Sequence, residues 1–236
     1  MADEPRRQSL ARGLRNVDER VTKAAESAGR DPALITTVVV TKTWPATDLR
    51  LLHELGVRDF GENRCHEGAG KAAELAGLDL TWHFIGQIQS NKATKVARYA
   101  DVVHSVDSVR VAHRLSSGAQ QRAGVVNCFI QVNLDPEGTR ERRGGLSSDA
   151  IDEVADTIET ATGLRLVGVM GVAPLGADPA PSYRRLADVS RRLVERHPGA
   201  RAVSAGMSAD VEEAIFAGAT HVRVGSAVLG ERPPLR

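Results

Sequence analysis

Along the 236-residue chain, segments with hydrophobic residues at helical spacing alternate with short, continuous hydrophobic runs. Over residues 8–29, Leu10, Leu14 and Val17 recur at helical spacing, while Arg and Glu occupy the other faces. Short runs rich in Val, Ile and Thr come later and are typical of buried strands. The pattern predicts strands at 34–41, 57–60, 81–85, 102–105, 125–132, 164–169, 201–204 and 221–224. The intervening helices are predicted at 47–55, 65–76, 90–99, 107–122, about 151–161, 181–197 and 208–217.

The regular alternation of strand and helix predicts the fold class. It favours a parallel sheet with helices outside it, because a parallel crossover needs a helix to return the chain. Eight units in roughly 200 residues predict an α/β protein with a closed (β/α)8 TIM-type barrel, and an open doubly wound sheet is the alternative. The extra N-terminal helix is expected to cover the bottom of the barrel. Since the sequence contains neither a linker nor a low-complexity run, residues 1–236 are predicted to form a single domain.

Composition narrows the classes of partner and compartment. Lys plus Arg total 31 and Asp plus Glu total 30, so the net charge of +1 gives no electrostatic reason to expect nucleic acid or an anionic membrane as partner. The two cysteines, Cys65 and Cys128, lie too far apart in sequence for a metal-binding motif and predict no disulfide framework. The polar N-terminus predicts no signal peptide, and no apolar run is long enough to span a membrane. A cytoplasmic protein is therefore expected.

Candidate chemistry follows the predicted strands, because (β/α)8 barrels place their sites at the carboxyl ends. Lys42 ends the first strand, although a solvated lysine at a strand end is the plainer explanation. Small residues follow the seventh and eighth strands, at 204–208 and 225–226. Such loops let backbone N–H groups approach an anion, and barrels often hold phosphate there. Ordinary turns use the same residue types, so a phosphate site and simple turns both stay open.

A lysine across from a phosphate site predicts Schiff-base chemistry, because a neutral, buried amine attacks a carbonyl carbon. Two ligand classes fit: a sugar phosphate in an aldolase, and pyridoxal 5′-phosphate. Arg223 favours the second, since a guanidinium beside the pyridine nitrogen keeps that nitrogen unprotonated. An unprotonated pyridine is a poor electron sink, so carbanion chemistry at a substrate would be weak. A surface or salt-bridged arginine is the alternative at this position.

Five stretches together carry a family resemblance, in chain order and across most of the sequence. They are VTK at 40–42, FGEN at 60–63, HFIGQIQSNK at 83–92, GMSAD at 206–210 and VRVGS at 222–226. With these motifs the chain resembles the pyridoxal phosphate homeostasis proteins, single-domain relatives of the alanine racemase barrel. The resemblance implies a Schiff base between pyridoxal 5′-phosphate and Lys42, Arg223 beside the pyridine nitrogen, and Asn63 near the cofactor ring. It implies that the phosphate is held by Ser204, Ser208, Gly225 and Ser226.

Some positions depart from the family pattern. Ser226 stands where Thr is usual, which keeps the hydroxyl, and Ala205 replaces a usual Met. Residues 64–67 replace a run that commonly contains Tyr and Gln, and the loop at 137–145 differs from a version that contains Ser and Lys. None of these changes touches the proposed Schiff base, and because of the last one no role is carried over to that loop.

The resemblance implies a protein that buffers the cofactor and delivers it transiently to apo-enzymes, without established turnover. A racemase-like enzyme of the same barrel type is the alternative. That enzyme needs an acid/base group on each face of the substrate carbon, and the related racemases take one of them from a tyrosine on an added β-domain. Here the chain ends soon after the last strand, which predicts that this domain is absent. Tyr99 and Tyr183 are both predicted to be helical and away from the strand ends.

Three further expectations complete the sequence-based hypothesis. The seven histidines show no metal-ligand spacing, so no metal is predicted, and His83 is expected to be a structural histidine within a strand. Arg140, Arg142 and Arg143 form a basic loop, either a solvated face or a contact for an anionic partner. The open face at the strand ends predicts that a monomer suffices.

Overall fold

The computed structural model describes residues 4–135 and 144–231, and within them eight parallel strands close into a barrel. The strands follow one another around the barrel in chain order, so the predicted α/β barrel is confirmed. The basic loop at residues 140–143 lies outside the described residues. The strands are β1 (Thr36–Val40), β2 (Asp59–Glu62), β3 (Thr81–Phe84), β4 (Val102–Val106), β5 (Val126–Gln131), β6 (Leu164–Met170), β7 (Ala202–Met207) and β8 (His221–Val224).

Helices surround the barrel, and their apolar faces pack on the outward side chains of the strands. Among the described residues they are α1 (Glu4–Ser27), α2 (Ala46–Glu54), α3 (Cys65–Glu74), α4 (Ser90–Ala97), α5 (Val109–Gln121), α6 (Ile151–Thr160), α7 (Pro179–Arg196), α8 (Val211–Phe216) and α9 (Ser226–Leu229). Within the described residues, no helix is both long enough and apolar enough to cross a membrane.

Closure of the barrel depends on the pairing of its first strand with its last. Val39 in β1 lies opposite Phe60 in β2 on one side and opposite Val224 in β8 on the other. The open doubly wound sheet is therefore wrong, because β1 has no free edge. This pairing also brings the segment after β1 next to the segment after β8, which joins two of the predicted site regions.

The extra N-terminal helix does not cover the bottom of the barrel as expected. It packs instead in the outer layer of helices, against α2, α8 and α9. The physical reason is that α9 has only four residues and leaves the gap between α8 and α2 unfilled. The approach is close, since a Cβ at Gly13 would lie 2.6 Å from the carbonyl oxygen of Val228. Leu10, Val17 and Val21 are buried in this packing.

The barrel interior is more polar than the layer between barrel and helices. Val102, Phe129 and Met170 form a small apolar cluster of their own inside it. Beside them lie three histidine rings, those of His83, His104 and His221, with centroids 5.2–6.4 Å apart. Apolar branched side chains usually fill such interiors, so this polar filling needs hydrogen-bond partners to offset its desolvation.

Candidate functional site

Lys42 lies two residues beyond the end of β1 and is half-buried. The strand carries it to the carboxyl end of the barrel, as the apolar run before it predicts. The chain turns immediately afterwards, because Thr43 has a φ of 71°, in the left-handed region. Threonine rarely adopts this conformation, so contacts from elsewhere in the fold must hold the turn in place.

A buried ion cluster supplies those contacts. The Nζ of Lys71 in α3 donates to the carbonyl oxygen of Thr41 at 2.7 Å, to Oε1 of Glu62 at 2.6 Å and to Oε1 of Glu67 at 2.7 Å. Oε1 of Glu67 also accepts the backbone N–H of Thr43 at 2.5 Å. The carbonyl before Lys42 and the amide after it are thus both tied to one cluster, which orients the backbone from which the lysine side chain extends.

Within the cluster, Glu62 is completely buried and Lys71 is only 8% exposed. Burial raises the pKa of Glu62, and the charge and hydrogen bond of Lys71 oppose that rise. One oxygen of Glu62 accepts from Lys71 and from the hydroxyl of Thr41 at 2.6 Å, whereas Oε2 is buried without a hydrogen-bond partner. Two carboxyl groups therefore share one ammonium beside the candidate lysine.

Sequence analysis missed the role of Lys71, because a helix rich in Ala, Lys and Glu is usually a solvated face. The available signal was the spacing of Glu67 and Lys71, which is i,i+4 and places both side chains on one face. The carboxylate Glu62 at the end of β2 was also visible in the sequence, but only the packing of α3 on β2 brings it to the pair in α3.

The loops after β7 and β8 converge at Ser208. Its hydroxyl oxygen accepts the backbone N–H groups of Gly225 at 3.3 Å and Ala227 at 3.4 Å. These are long hydrogen bonds, so the two amides point to one place without being tightly satisfied. Ser226 between them is exposed. The structure therefore brings together three of the four residues predicted to hold a phosphate.

The same loop lies close to the end of β1. A Cβ placed on Gly225 would be 3.3 Å from the carbonyl oxygen of Val40, two residues before Lys42. On the β7 side, Gly206 has a φ of +87°, and a Cβ there would lie 2.6 Å from Cβ of Ala214. Glycine at both positions lets the backbone of the two loops approach its neighbours closely.

Arg223 points from β8 into the buried interior and is 4% exposed. Its Nη1 donates to the hydroxyl oxygen of Ser204 at 2.5 Å, and its Nη2 donates to the carbonyl oxygen of Gly171, just after β6, at 2.9 Å. Burial lowers the pKa of Arg223, although a guanidinium stays protonated in proteins. No carboxylate among the described residues lies within 4.0 Å of it. Its direct hydrogen-bond acceptors are neutral, and the negative charge of Asp210 acts on it from a longer distance and opposes the lowering of its pKa. The alternative of a surface or salt-bridged arginine is wrong.

Ser204 occupies a different place from Ser208. It is fully buried inside the barrel, and its hydroxyl lies between Arg223 and Nδ1 of His104, 2.8 Å away. The structure therefore groups Ser204 with the arginine rather than with the convergent amides of the loops.

Asn63 follows β2 and is exposed. It packs so closely on Gly86 that a Cβ there would lie 2.6 Å from Oδ1 of Asn63. Asn63 and Gln87 line a cleft of about 660 Å³ between the loops after β2 and β3, with cationic side chains from Arg64, Lys92 and Lys95 around it. Lys42 and Arg223 are not part of this lining, so Asn63 stands at the side of the barrel mouth.

The prediction that Tyr183 lies away from the strand ends is wrong. Tyr183 is helical, in α7, but its hydroxyl donates to Oδ2 of Asp210 in the loop after β7, at 2.7 Å. Oδ1 of Asp210 in turn accepts the backbone N–H of Met207 at 2.5 Å. Burial and the neighbouring carboxylate raise the pKa of Tyr183, so the phenol stays protonated and acts as a donor that braces the loop.

Comparison with known proteins identifies the family. The alanine racemase N-terminal domain matches residues 14–233 of the chain. A pyridoxal phosphate homeostasis protein of Pseudomonas aeruginosa is 40% identical over 226 residues, which cover 95% of this chain and 96% of the relative. The chain belongs to the pyridoxal phosphate homeostasis protein family. The Escherichia coli K12 member is 36% identical over 235 residues and covers 94% of this chain and 97% of its own length. The family predicted from the five motifs is therefore confirmed.

Two solved structures agree with the fold. PipY of Synechococcus elongatus, in the structure with PLP bound, superposes with a TM-score of 0.77 at 32% identity and covers 91% of this chain and 100% of that chain. An alanine racemase of Clostridium difficile superposes with a TM-score of 0.72 at 13% identity, over 96% of this chain but 57% of that one. The second likeness supports the barrel fold alone.

Proposed function

We propose that this protein binds pyridoxal 5′-phosphate at the carboxyl end of its barrel and holds it as a Schiff base on Lys42 for cofactor homeostasis, without catalytic turnover. The observation that carries the proposal is the pairing of β1 with β8. This pairing sets the lysine segment beside convergent backbone amides, and a buried guanidinium lies on the strand just before those amides. An amine, an anion site and a pyridine partner are the three groups that this cofactor needs.

The loop after β8 fits the phosphate. The N–H groups of Gly225 and Ala227 meet at the hydroxyl of Ser208 through long hydrogen bonds, and a phosphate oxygen is a stronger acceptor than that hydroxyl. Ser226 adds an exposed hydroxyl at the same loop. Ser208, Gly225 and Ser226 are therefore proposed to bind the phosphate.

Arg223 fits the pyridine nitrogen. Ser204 and the carbonyl of Gly171 each take one of its five N–H donors, so donors remain for a ring nitrogen. A guanidinium does not release a proton to pyridine, so the nitrogen would accept a hydrogen bond and stay neutral. The neutral ring withdraws electrons weakly, which suits storage of the cofactor better than carbanion chemistry.

Lys42 supplies the covalent anchor, because its amine condenses with the cofactor aldehyde. The ion cluster of Lys71, Glu62 and Glu67 orients the anchor by holding the peptide groups on either side of it. Asn63, at the side of the mouth, is proposed to contact the cofactor ring.

The relatives support the same function. The curated relatives are named pyridoxal phosphate homeostasis proteins, and the PipY structure was solved with PLP bound. Delivery of the cofactor to apo-enzymes and a monomeric state belong to the proposal. Transfer of cofactor from the loaded protein to an apo-enzyme tests delivery, and light scattering of the purified protein tests the monomeric state.

Racemisation is the second candidate, because the racemase barrel has the same fold. It requires a proton-transfer group opposite Lys42. Tyr183 is the tyrosine that reaches the strand ends, yet its hydroxyl is bound to Asp210 and its pKa is raised. A phenol held in this way is a poor base, so the geometry favours a protein without turnover.

The decisive experiment records the absorption spectrum of purified protein with added cofactor, before and after borohydride, and locates the adduct by peptide mass. We expect a Schiff-base band that disappears on reduction and a mass increase on the peptide containing Lys42. Lys42→Ala should lose the adduct and keep part of the phosphate-driven affinity, whereas Lys23→Ala, which changes an exposed lysine of α1, should behave as wild type. An adduct that persists in Lys42→Ala would contradict the assignment of this lysine.

Two further outcomes separate the alternatives. Rapid deuterium exchange at the α-carbon of an amino acid, in proportion to protein concentration, would favour the racemase. A colourless protein that borohydride traps only in the presence of a sugar phosphate would favour the Schiff-base aldolase.

A further inference from the structure

A continuous chain of hydrogen bonds crosses the barrel interior and ends at Arg223. Its first member, Asp59, begins β2 at the amino end of the barrel and accepts from Nε2 of His83 at 2.9 Å. Nδ1 of His83 lies 2.9 Å from Nε2 of His104, and Nδ1 of His104 lies 2.8 Å from the hydroxyl of Ser204. The last link is the 2.5 Å hydrogen bond from Arg223 to Ser204.

Each end of this hydrogen-bond chain fixes the direction in which its hydrogen bonds are donated, and both ends give the same direction. An ionised carboxylate only accepts, so Nε2 of His83 carries a proton, and a neutral ring then accepts at Nδ1. His104 must therefore donate through Nε2 and accept at Nδ1, which leaves the hydroxyl hydrogen of Ser204 to fill that position. From the other end, the guanidinium only donates, so Ser204 accepts from it and passes its own hydrogen on. Every hydrogen bond points from the arginine toward the aspartate.

Burial supports neutral rings in this chain. His83 is 1% exposed and His104 is fully buried and stacked on Phe129, with ring centroids 4.5 Å apart. Desolvation lowers the pKa of His104 well below its ordinary value, and the neighbouring His83 and Arg223 lower it further. A cationic His83 would donate to His104 as well as to Asp59, so His104 would donate to Ser204. The hydroxyl of Ser204 already accepts from Arg223, and its own hydrogen would then have no acceptor in these links. His221, the third ring, is bound to the hydroxyl of Thr220 instead and lies beside the chain.

We propose that Asp59, His83, His104 and Ser204 are positioning residues for Arg223. They hold its guanidinium against the pyridine nitrogen. Through them, the negative charge of Asp59 weakens the hydrogen bond that the guanidinium donates to that nitrogen. The proposal rests on the proposed function, since it assumes that Arg223 meets the cofactor ring.

The geometry favours this role over simple filling of the core. Apolar side chains at the interior positions would fill the barrel without the cost of burying the polar groups of His83, His104 and Ser204. The hydrogen-bond chain instead ends at Arg223, the one buried arginine among residues 4–135 and 144–231, and its aligned dipoles present their negative ends to that charge. At the other end, the side chain of Asp59 is 31% exposed, and the residue borders a cleft of about 460 Å³ beside α1. A solvent-facing carboxylate is thus linked to the cofactor site without touching it.

The first test needs neither variant nor cofactor. Long-range ¹H–¹⁵N correlation spectra of the histidine rings in the purified apoprotein report which nitrogen carries the proton. We expect His83 and His104 both as neutral rings protonated at Nε2. Protonation of His104 at Nδ1, or a cationic His83 at neutral pH, would reverse the chain and overturn the proposal.

The second test reads the cofactor. Protein loaded with ¹⁵N-labelled pyridoxal 5′-phosphate is compared with its Asp59→Asn and Ser204→Ala variants by the pyridine ¹⁵N shift, the absorption maximum and cofactor affinity. Asp59→Asn keeps the hydrogen bond but removes the charge, so the guanidinium donates more strongly and the resonance moves toward a more strongly hydrogen-bonded nitrogen. Ser204→Ala frees the guanidinium, so the resonance moves the opposite way and affinity falls about tenfold, the usual effect of losing one hydrogen bond to a charged group.

Matched controls separate positioning from folding. Asp101→Asn alters a partly exposed carboxylate at the amino end of β4, which accepts from the backbone of Trp82 and pairs with Arg122. Ser116→Ala removes a buried hydroxyl that bonds to Thr162 outside the barrel. Neither control should move the pyridine resonance. If wild type takes up cofactor but Asp59→Asn and Ser204→Ala match the controls, this inference fails alone. If wild type takes up no cofactor, the proposed function fails and this inference fails with it.

Discussion

Replacing Lys71 with methionine tests whether the ion cluster below Lys42 is structurally essential. The substitution keeps the apolar stem and removes the ammonium, which leaves Glu62 completely buried without its cation. Removing one partner of a buried ion pair costs about 3–5 kcal/mol. In a chain of this size that loss lowers the melting temperature by about 10 °C. The carbonyl of Thr41 also loses its donor, so the turn that carries Lys42 should loosen.

The loss should depend on pH in a defined direction. The folded-state pKa of Glu62 is already raised above 4.5 by burial, and Lys71 opposes the rise. Without the lysine the pKa of Glu62 rises further. A carboxyl group with a raised folded-state pKa contributes stability below its unfolded pKa, and this contribution is lost as pH rises through the folded value. The deficit of Lys71→Met should therefore be small below about pH 4.5 and grow as pH increases.

Urea unfolding of wild type and variants between pH 4 and 8 measures the deficit. Lys23→Met, which changes an exposed lysine of α1, is the control and should unfold as wild type. The double variant Glu62→Gln with Lys71→Met removes both charges and should recover more than half of the loss. A loss of less than about 1 kcal/mol for Lys71→Met, or one that does not change with pH, would refute the electrostatic explanation.

Three other substitutions probe the same structure. Tyr183→Phe removes the hydrogen bond to Asp210 and should cost about 2 kcal/mol in the free energy of unfolding; an unchanged melting temperature would show that the phenol braces nothing. Gly206→Ala puts a side chain on a residue with a φ of +87° and against Ala214, so the free energy of unfolding should fall by about 3 kcal/mol. Adding Ala214→Gly should restore only the part of this loss that is due to the steric clash. Burial lowers the pKa of His221 to about 4, so unfolding free energy should fall as pH drops from about 6.5 toward 4, by about 2 kcal/mol for this partly exposed ring. Denaturant unfolding of His221→Gln should show a correspondingly shallower acid slope.

The sequence alone determined the strand–helix order and the barrel, because apolar periodicity records which side of each element is buried. It also located Lys42, Ser208 and Arg223, since the carboxyl end of each strand is a local feature of the chain. These residues needed no knowledge of partners: a buried β-branched run that stops at a polar residue is visible in one dimension.

Packing between distant segments decided the rest. Apart from the i,i+4 contact of Lys71 with Glu67, the roles of Lys71, Ser204 and Tyr183 depend on contacts across 9 to 30, 19 to 100 and 27 positions respectively. A single-sequence pattern carries no information about such pairs, because these hydrogen bonds join different strands, helices and loops that only the folded barrel brings together. For the same reason the sequence showed that α1 is amphipathic but not which face of the barrel it covers. The short α9 left a gap in the helical layer, and apolar burial placed α1 there.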